Sequence, residues 1–206
     1  MPKELKRRRV ALKPSRRTGK LRVESLMAAA AAVIAERGYE AATMAEIAVR
    51  AGAQIGSLYH FFPNKEELAD ALIERQSESL DAAFRKIEEQ ASVVSLAELA
   101  DSLVGLLVEL HPESRCTVAL LEAREGGSAK RAEMCAAALR RIAGILKLRA
   151  PRLRPSTAED VAVVVFNNMK TMKAWTVEPD NDITPGAKSE LREMNRLYLE
   201  HTLLKK

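Results

Sequence analysis

Aromatic side chains are scarce in this 206-residue chain, 4% of the total with a single tryptophan, so few rings are available to stack on a large flat ligand. Cysteine is equally sparse. Cys116 and Cys135 lie far apart, and neither belongs to a CxxC pair or has a histidine at ligand spacing. That pattern fits small core residues of a protein in a reducing cytoplasm, with a redox pair as the alternative. The three histidines, His60, His111 and His201, are scattered without carboxylates at ligand spacing. No HExxH, glycine-rich phosphate loop or nucleophile-base-acid arrangement occurs, which argues against a metal, a cofactor and an enzyme. No segment approaches about 18 uncharged apolar residues, so no membrane span is expected. Strand alternation, internal repeats and low-complexity tracts beyond the alanines are missing too, which leaves an all-α fold.

Acidic residues are nearly absent from one place. Residues 1–22 contain ten Lys or Arg against the single acid Glu4, a local balance of +9 in a chain whose total is +5, so residues 23–206 sum to −4. Such an arm can neutralise phosphates or enter a minor groove, with affinity that falls steeply with salt. A solubilising tail is the other reading, weakest for Arg16 and Arg17, which lie closest to the first helix. The basic run followed by Leu26-Met27 and Ala28 to Ala32 imitates a secretory signal. Against that stand Glu24 before it, Glu36-Arg37-Gly38 after it, and a helical stripe of Leu26, Ala30, Val33 and Ile34.

Residues 43 to 62, TMAEIAVRAGAQIGSLYHFF, read as a helix-turn-helix. Thr43 and Glu46 have the spacing of a capping box, in which each side chain satisfies the other's otherwise orphaned backbone donor. Met44, Ile47, Ala48 and Ala51 then recur at i, i+3, i+4 and i+7, and Gly52 is free to take the left-handed conformation that ends a helix. In the second helix Ala53, Leu58 and Phe61 are expected inward, leaving Gln54, Ile55, Gly56, Ser57, Tyr59 and His60 outside. That outer face suits a major groove: Gln pairs with an adenine edge, Ser with several acceptors, and Ile55 can touch a thymine methyl. Gly56 costs about 1 kcal/mol of helix propensity relative to Ala, which makes sense if another surface must come very close. A plain pair of packed helices is the competing reading, as is a Tyr59 packed on its own domain.

The stretch TMAEIA, then AGAQIGSLYHFFPNKEEL, resembles the DNA-binding signature of the TetR family of bacterial transcriptional regulators, through about residues 24 to 72. Ala53-Gln54 departs from the Val-Ser common there in the family. The resemblance implies that Gln54, Ile55, Gly56 and Ser57 face base edges while Thr43, Tyr59, His60 and Lys65 hold phosphates. Asn64 and Glu67 form another cap beside Lys65.

The rest of the chain reads as helices throughout, about nine in all. One runs from Asn64 to about Gln90. A second, capped by Ser95 and Glu98, reaches His111, where Pro112 breaks it, and a short one continues to Arg124. After a Gly126-Gly127 loop a helix covers Ser128 to Ala150. Another, capped by Ser156 and Glu159, carries the apolar run Val161 to Trp175, and the last starts at Thr184-Pro185. The organisation expected is a basic arm at 1–17, a three-helix DNA-binding domain at 18–63 and a larger helical domain at 64–206.

Val161, Val163, Val164, Val165, Phe166 and Met169 are apolar nearly all round, more than one face of a peripheral helix needs. A second copy, or the core of a monomer, must cover them. The resemblance implies a four-helix dimer bundle from the last two helices, with Val161, Val164, Val165, Met169, Trp175, Leu191, Met194 and Leu197 in the interface. Two reading helices about 34 Å apart would then span consecutive turns of a palindrome. The resemblance also implies a cavity for a small-molecule effector, with Phe84, Met134, Phe166 and Asn167 as candidate lining; ordinary core packing, or a satisfied amide hydrogen bond for Asn167 and Asn168, explains the same residues. The function expected is a cytoplasmic, homodimeric transcriptional repressor released from a palindromic operator by its effector. An architectural or adaptor DNA-binding dimer without effector is the alternative.

Overall fold

A computed structural model of the chain describes residues 17–177 and 183–204. Among the described residues the fold is entirely helical: α1 Arg17–Arg37, α2 Met44–Arg50, α3 Ile55–Phe61, α4 Lys65–Gln90, α5 Leu96–Glu109, α6 His111–Ala123, α7 Gly127–Arg149, α8 Pro155–Val177 and α9 Pro185–Leu203. Arg16 and the arm before it lie outside the described residues.

The chain divides into two compact units. The first joins the N-terminal residues up to Gln76 with a returning segment, Glu113–Ser128; the second comprises Ser77–Pro112 and Ala129–Lys206. The sequence pattern puts a boundary after residue 63, whereas this division falls between Gln76 and Ser77, inside α4. The helix is therefore shared between the units.

In the first unit α1 buries Leu26, Met27, Ala29, Ala30, Val33 and Ile34, the apolar stripe expected from the sequence. Ile47 and Ala48 of α2 and Leu58 of α3 are at most 2% exposed. The returning segment adds Cys116, Leu120 and Leu121, all buried. It ends at Gly127, where a Cβ would stand 1.9 Å from the main-chain oxygen of Leu121, so only glycine allows α7 to leave so close to α6. Burial holds the Cys116 thiol above its ordinary pKa, the inert state of a core cysteine.

The second unit is built around α5, whose Leu99, Ala100, Leu103, Val104 and Leu106 are almost fully buried. α8 and α9 both pack on it. Phe84 and Ile87 of α4, Ala138, Ile142, Ile145 and Leu146 of α7, Val161, Ala162, Val165 and Met169 of α8 and Leu199 of α9 complete one core. Arg141 of α7 ties itself to α4 through Glu88 at 2.7 Å and Asp81 at 3.1 Å. Inside the core Asn195 of α9, 0% exposed, accepts from Asn168 of α8 at 3.1 Å and donates to the Ala100 oxygen of α5 at 3.5 Å. Amides so placed satisfy one another and fix the register of three helices.

Two helix starts differ from the sequence expectation. α8 begins at Pro155, ahead of the Ser156–Glu159 pair, because a proline is preorganised for the first helical position and Arg154 accepts the first main-chain bond. Pro112 likewise falls in the first turn of α6; α5 has already ended at its cap, Leu110.

Candidate nucleic-acid interface

The interface begins with a well-fixed α2. Thr43 Oγ1 accepts from the Glu46 amide at 3.2 Å, and the Glu46 carboxylate accepts from the Thr43 amide at 3.2 Å and hydroxyl at 3.0 Å. The hydrogen bonds from Thr43 hold the Glu46 carboxyl below its usual range, helped by Arg37, which bonds the other oxygen at 2.5 Å. Glu36 and Arg50 make a second tie between α1 and α2, and the Glu36 carboxyl is likewise lowered, first by the Arg50 hydrogen bond. Gly52, with φ +58°, then turns the chain, and the Ala53 amide closes back on Ala48 at 2.9 Å.

Seven residues are too few for a helix to persist alone, so α3 depends on what it buries. Leu58 is fully buried, a contribution of about 2 kcal/mol. The aromatic that anchors the end of α3 is Phe62, 2% exposed, rather than Phe61. The chain leaves helical conformation at Phe62, φ −125° and ψ 98°, which turns that side chain inward. Phe61 and Ala53 are half-buried, and Phe61 packs edge-on against the His60 ring at 5.0 Å.

Outward stand Gln54, Ile55 (44% exposed), Gly56, Tyr59 (50% exposed) and His60, with Ser57 partly covered. The Gln54 side chain makes no capping bond although the residue sits at the helix N-cap. Thr43 is exposed at the start of α2, and Arg17 is exposed at the start of α1. Lys65 is engaged with its own chain. Its ammonium donates to the main-chain oxygens of Tyr39 at 3.0 Å and Glu40 at 3.1 Å and lies 4.5 Å from the centre of the Tyr39 ring. Asn64 caps α4 by accepting from the Glu67 amide at 2.7 Å.

The residues expected around an effector differ in burial. Phe84, 1% exposed, is core, and Phe166 packs against the same core with the Lys170 ammonium 5.2 Å from its ring. Met134 is half-buried, and Asn167 faces outward and bonds the Val163 oxygen one turn back at 2.9 Å. The inward amide is the next residue, Asn168. Of the expected interface residues, Val161, Val165, Met169 and Leu191 are buried within their own unit, and Trp175 is half-buried. Val164, Met194 and Leu197 are 39%, 52% and 50% exposed, and so is Val163, at 46%, on the same side of α8. Tyr39, Asn195 and Arg124 carry contacts that the sequence does not announce. Only the Gly38-Tyr39 pair after α1 gives a local signal, an aromatic next to a helix-ending glycine.

Among the described residues no group of three or more His, Cys, Asp or Glu is arranged to hold a metal, and no helix is long and apolar enough to cross a membrane. A short capped helix, a tight glycine turn and a second helix with a polar, exposed outer face define a helix-turn-helix DNA-binding protein. Residues 26–72 match the family model for bacterial regulatory proteins, tetR family. Over 83 residues the chain is 42% identical to the HTH-type transcriptional repressor KstR2 of Mycobacterium tuberculosis, a match that covers 40% of this chain and 39% of that protein. The match to that curated relative thus spans well under half of its length. Fold similarity extends further: a transcriptional regulator from Aquifex aeolicus superposes with TM-score 0.70 at 23% identity, over 86% of this chain and 99% of that one. FadR from Bacillus subtilis, solved with stearoyl-CoA, gives TM-score 0.58 at 22% identity, over 88% and 97%. Residues 26–72 therefore form a DNA-binding domain of the tetR type, and the rest of the chain shares the fold of the solved regulators.

Proposed function

We propose that the protein is a cytoplasmic homodimeric repressor that covers a palindromic operator and leaves it when a small molecule binds the larger unit. The observation that carries this is the outer face of α3, where Gln54, Ile55, Gly56 and Ser57 form a first turn able to face base edges and Tyr59 and His60 follow within reach of phosphates. Thr43 and Arg17 extend the phosphate contacts, and Arg16 and the basic arm add to them. Val163, Val164, Met194 and Leu197 supply the surface for a second copy, and a second copy supplies the second half-site. An effector would act by biasing the unit between DNA-competent and incompetent arrangements. The architectural or adaptor dimer remains the second reading, favoured by the absorption of Phe84 into the core and of the Asn167 amide into its own helix.

The test is binding of the purified protein to fragments of its own upstream DNA and to random duplex, at two salt concentrations. A protected two-fold site that survives the higher salt supports the operator assignment; equal, salt-labile binding everywhere sinks it in favour of the architectural one. Tyr59→Ala should weaken binding to all sequences alike, whereas Gln54→Ala should mainly change which sequences bind, by about 1–3 kcal/mol at one base position.

A further inference from the structure

We propose that Lys65 is a positioning residue that sets the orientation of the two reading helices. This rests on the DNA-binding role assigned to α3. Lys65 opens α4 and is half-buried. An ammonium has three N–H groups and no acceptor. Here it faces three partners of its own chain, the Tyr39 and Glu40 oxygens at 3.0 and 3.1 Å and the Tyr39 ring at 4.5 Å. Two charge-assisted hydrogen bonds and a cation–π contact thus tie the ammonium to the connection after α1.

A second cation meets the same ring. Tyr39 is 6% exposed, and the Arg124 guanidinium, just past the end of α6, lies 5.9 Å from the same ring. Arg124 also pairs with Asp70 of α4 at 2.7 Å. One tyrosine ring thus meets two cations, each fastened to α4. What they hold is the short connection from Gly38 to Thr43, and Thr43 is the cap that starts α2. α3 follows α2 after a short turn, so a shift of the Tyr39 and Glu40 peptides displaces the base-facing turn of α3. Lys65 therefore contributes to choosing a sequence through the connection it holds.

Salt dependence separates a positioning role from a phosphate contact. Removing one phosphate ligand lowers the slope of log K against log salt by about 0.9, while a positioning defect leaves the slope alone. The experiment measures full-length protein, Lys65→Met and Arg124→Met on the operator duplex and on random duplex across a salt series. Both variants should lose about tenfold in operator affinity, with random-duplex affinity within about twofold of the parent and the slope unchanged. Equal loss on both duplexes with a shallower slope for Lys65→Met, or no loss in either variant, overturns the proposal. If Lys65→Met fails to fold in a thermal melt, Arg124→Met is read in its place: operator loss with an unchanged slope supports the arrangement, and no loss overturns it. A parent protein that does not discriminate between the duplexes refutes the DNA-site assignment itself.

Discussion

Gly56 shows most directly how a single residue reports a surface outside its own chain. A Cβ there would meet nothing within 4 Å, and its backbone is ordinary helix, so neither packing nor conformation requires glycine. At Gly127 the opposite holds. Gly56→Ala should therefore raise unfolding free energy by about 0.5–1 kcal/mol while weakening operator binding. A thermal melt and a gel shift on the same sample check both halves; an alanine that stabilises and binds DNA normally would detach Gly56 from the interface. Residue identities on the outer face of α3 are legible in the sequence because exposure there follows from helical period and from the position of Leu58. Inward positions past the helix end are not, since Phe62 is turned in by a change of backbone conformation that period cannot register. Lys65 is hidden for another reason: its partners, Tyr39 and Glu40, lie 26 and 25 residues away, and no local pattern announces a main-chain oxygen.

Among the elements, helix starts carry their own chemistry in the sequence. The pairs Thr43 with Glu46 and Ser95 with Glu98 both close as reciprocal caps. Ser156 with Glu159 has the same spacing, yet the proline before it starts α8 sooner. Hydrogen bonds from Ser95, the main-chain one foremost, hold the Glu98 carboxyl below its ordinary pKa. A carboxylate with a lower pKa folded than unfolded stabilises the fold above the unfolded value of about 4.3 and loses that contribution as pH falls through the lower folded value. Urea stability should thus decline from about pH 5 downward. Ser95→Ala should cost about 1 kcal/mol at neutral pH by loss of the hydroxyl cap and make the acid decline shallower. An unaltered pH profile in that variant would mean that the cap contributes nothing to acid sensitivity. DNA affinity is the control, since α5 lies in the second unit and carries no part of the proposed site.

For the whole molecule, the all-round apolar character of α8 resolves into two faces. Val161, Val165 and Met169 belong to the subunit's own core, and Val163 and Val164 point outward, as Met194 and Leu197 do on α9. Periodicity shows apolar residues on more than one face of α8; which valines stay exposed depends on where α5 docks, a long-range fact. The two sets predict different failures. Met194→Glu with Leu197→Glu should yield a folded monomer by light scattering and reduce operator affinity by at least about tenfold, because one half-site remains engaged. Met169→Ala should instead cost about 2–5 kcal/mol of stability and leave the association state as it was. A double variant that still elutes as a dimer would move the interface elsewhere.

The returning segment Glu113–Ser128 has a consequence for how such a protein can be taken apart and recombined. Cys116, Leu120 and Leu121 are buried in the unit that contains α1 to α3, so a fragment cut after Gln76 would carry its helix-turn-helix with one wall missing. The DNA-binding half is contiguous in space and discontinuous in sequence. Swapping it between relatives as a single N-terminal cassette would separate Tyr39 and Asp70 from Arg124, and a functional chimaera has to carry both stretches from the same parent.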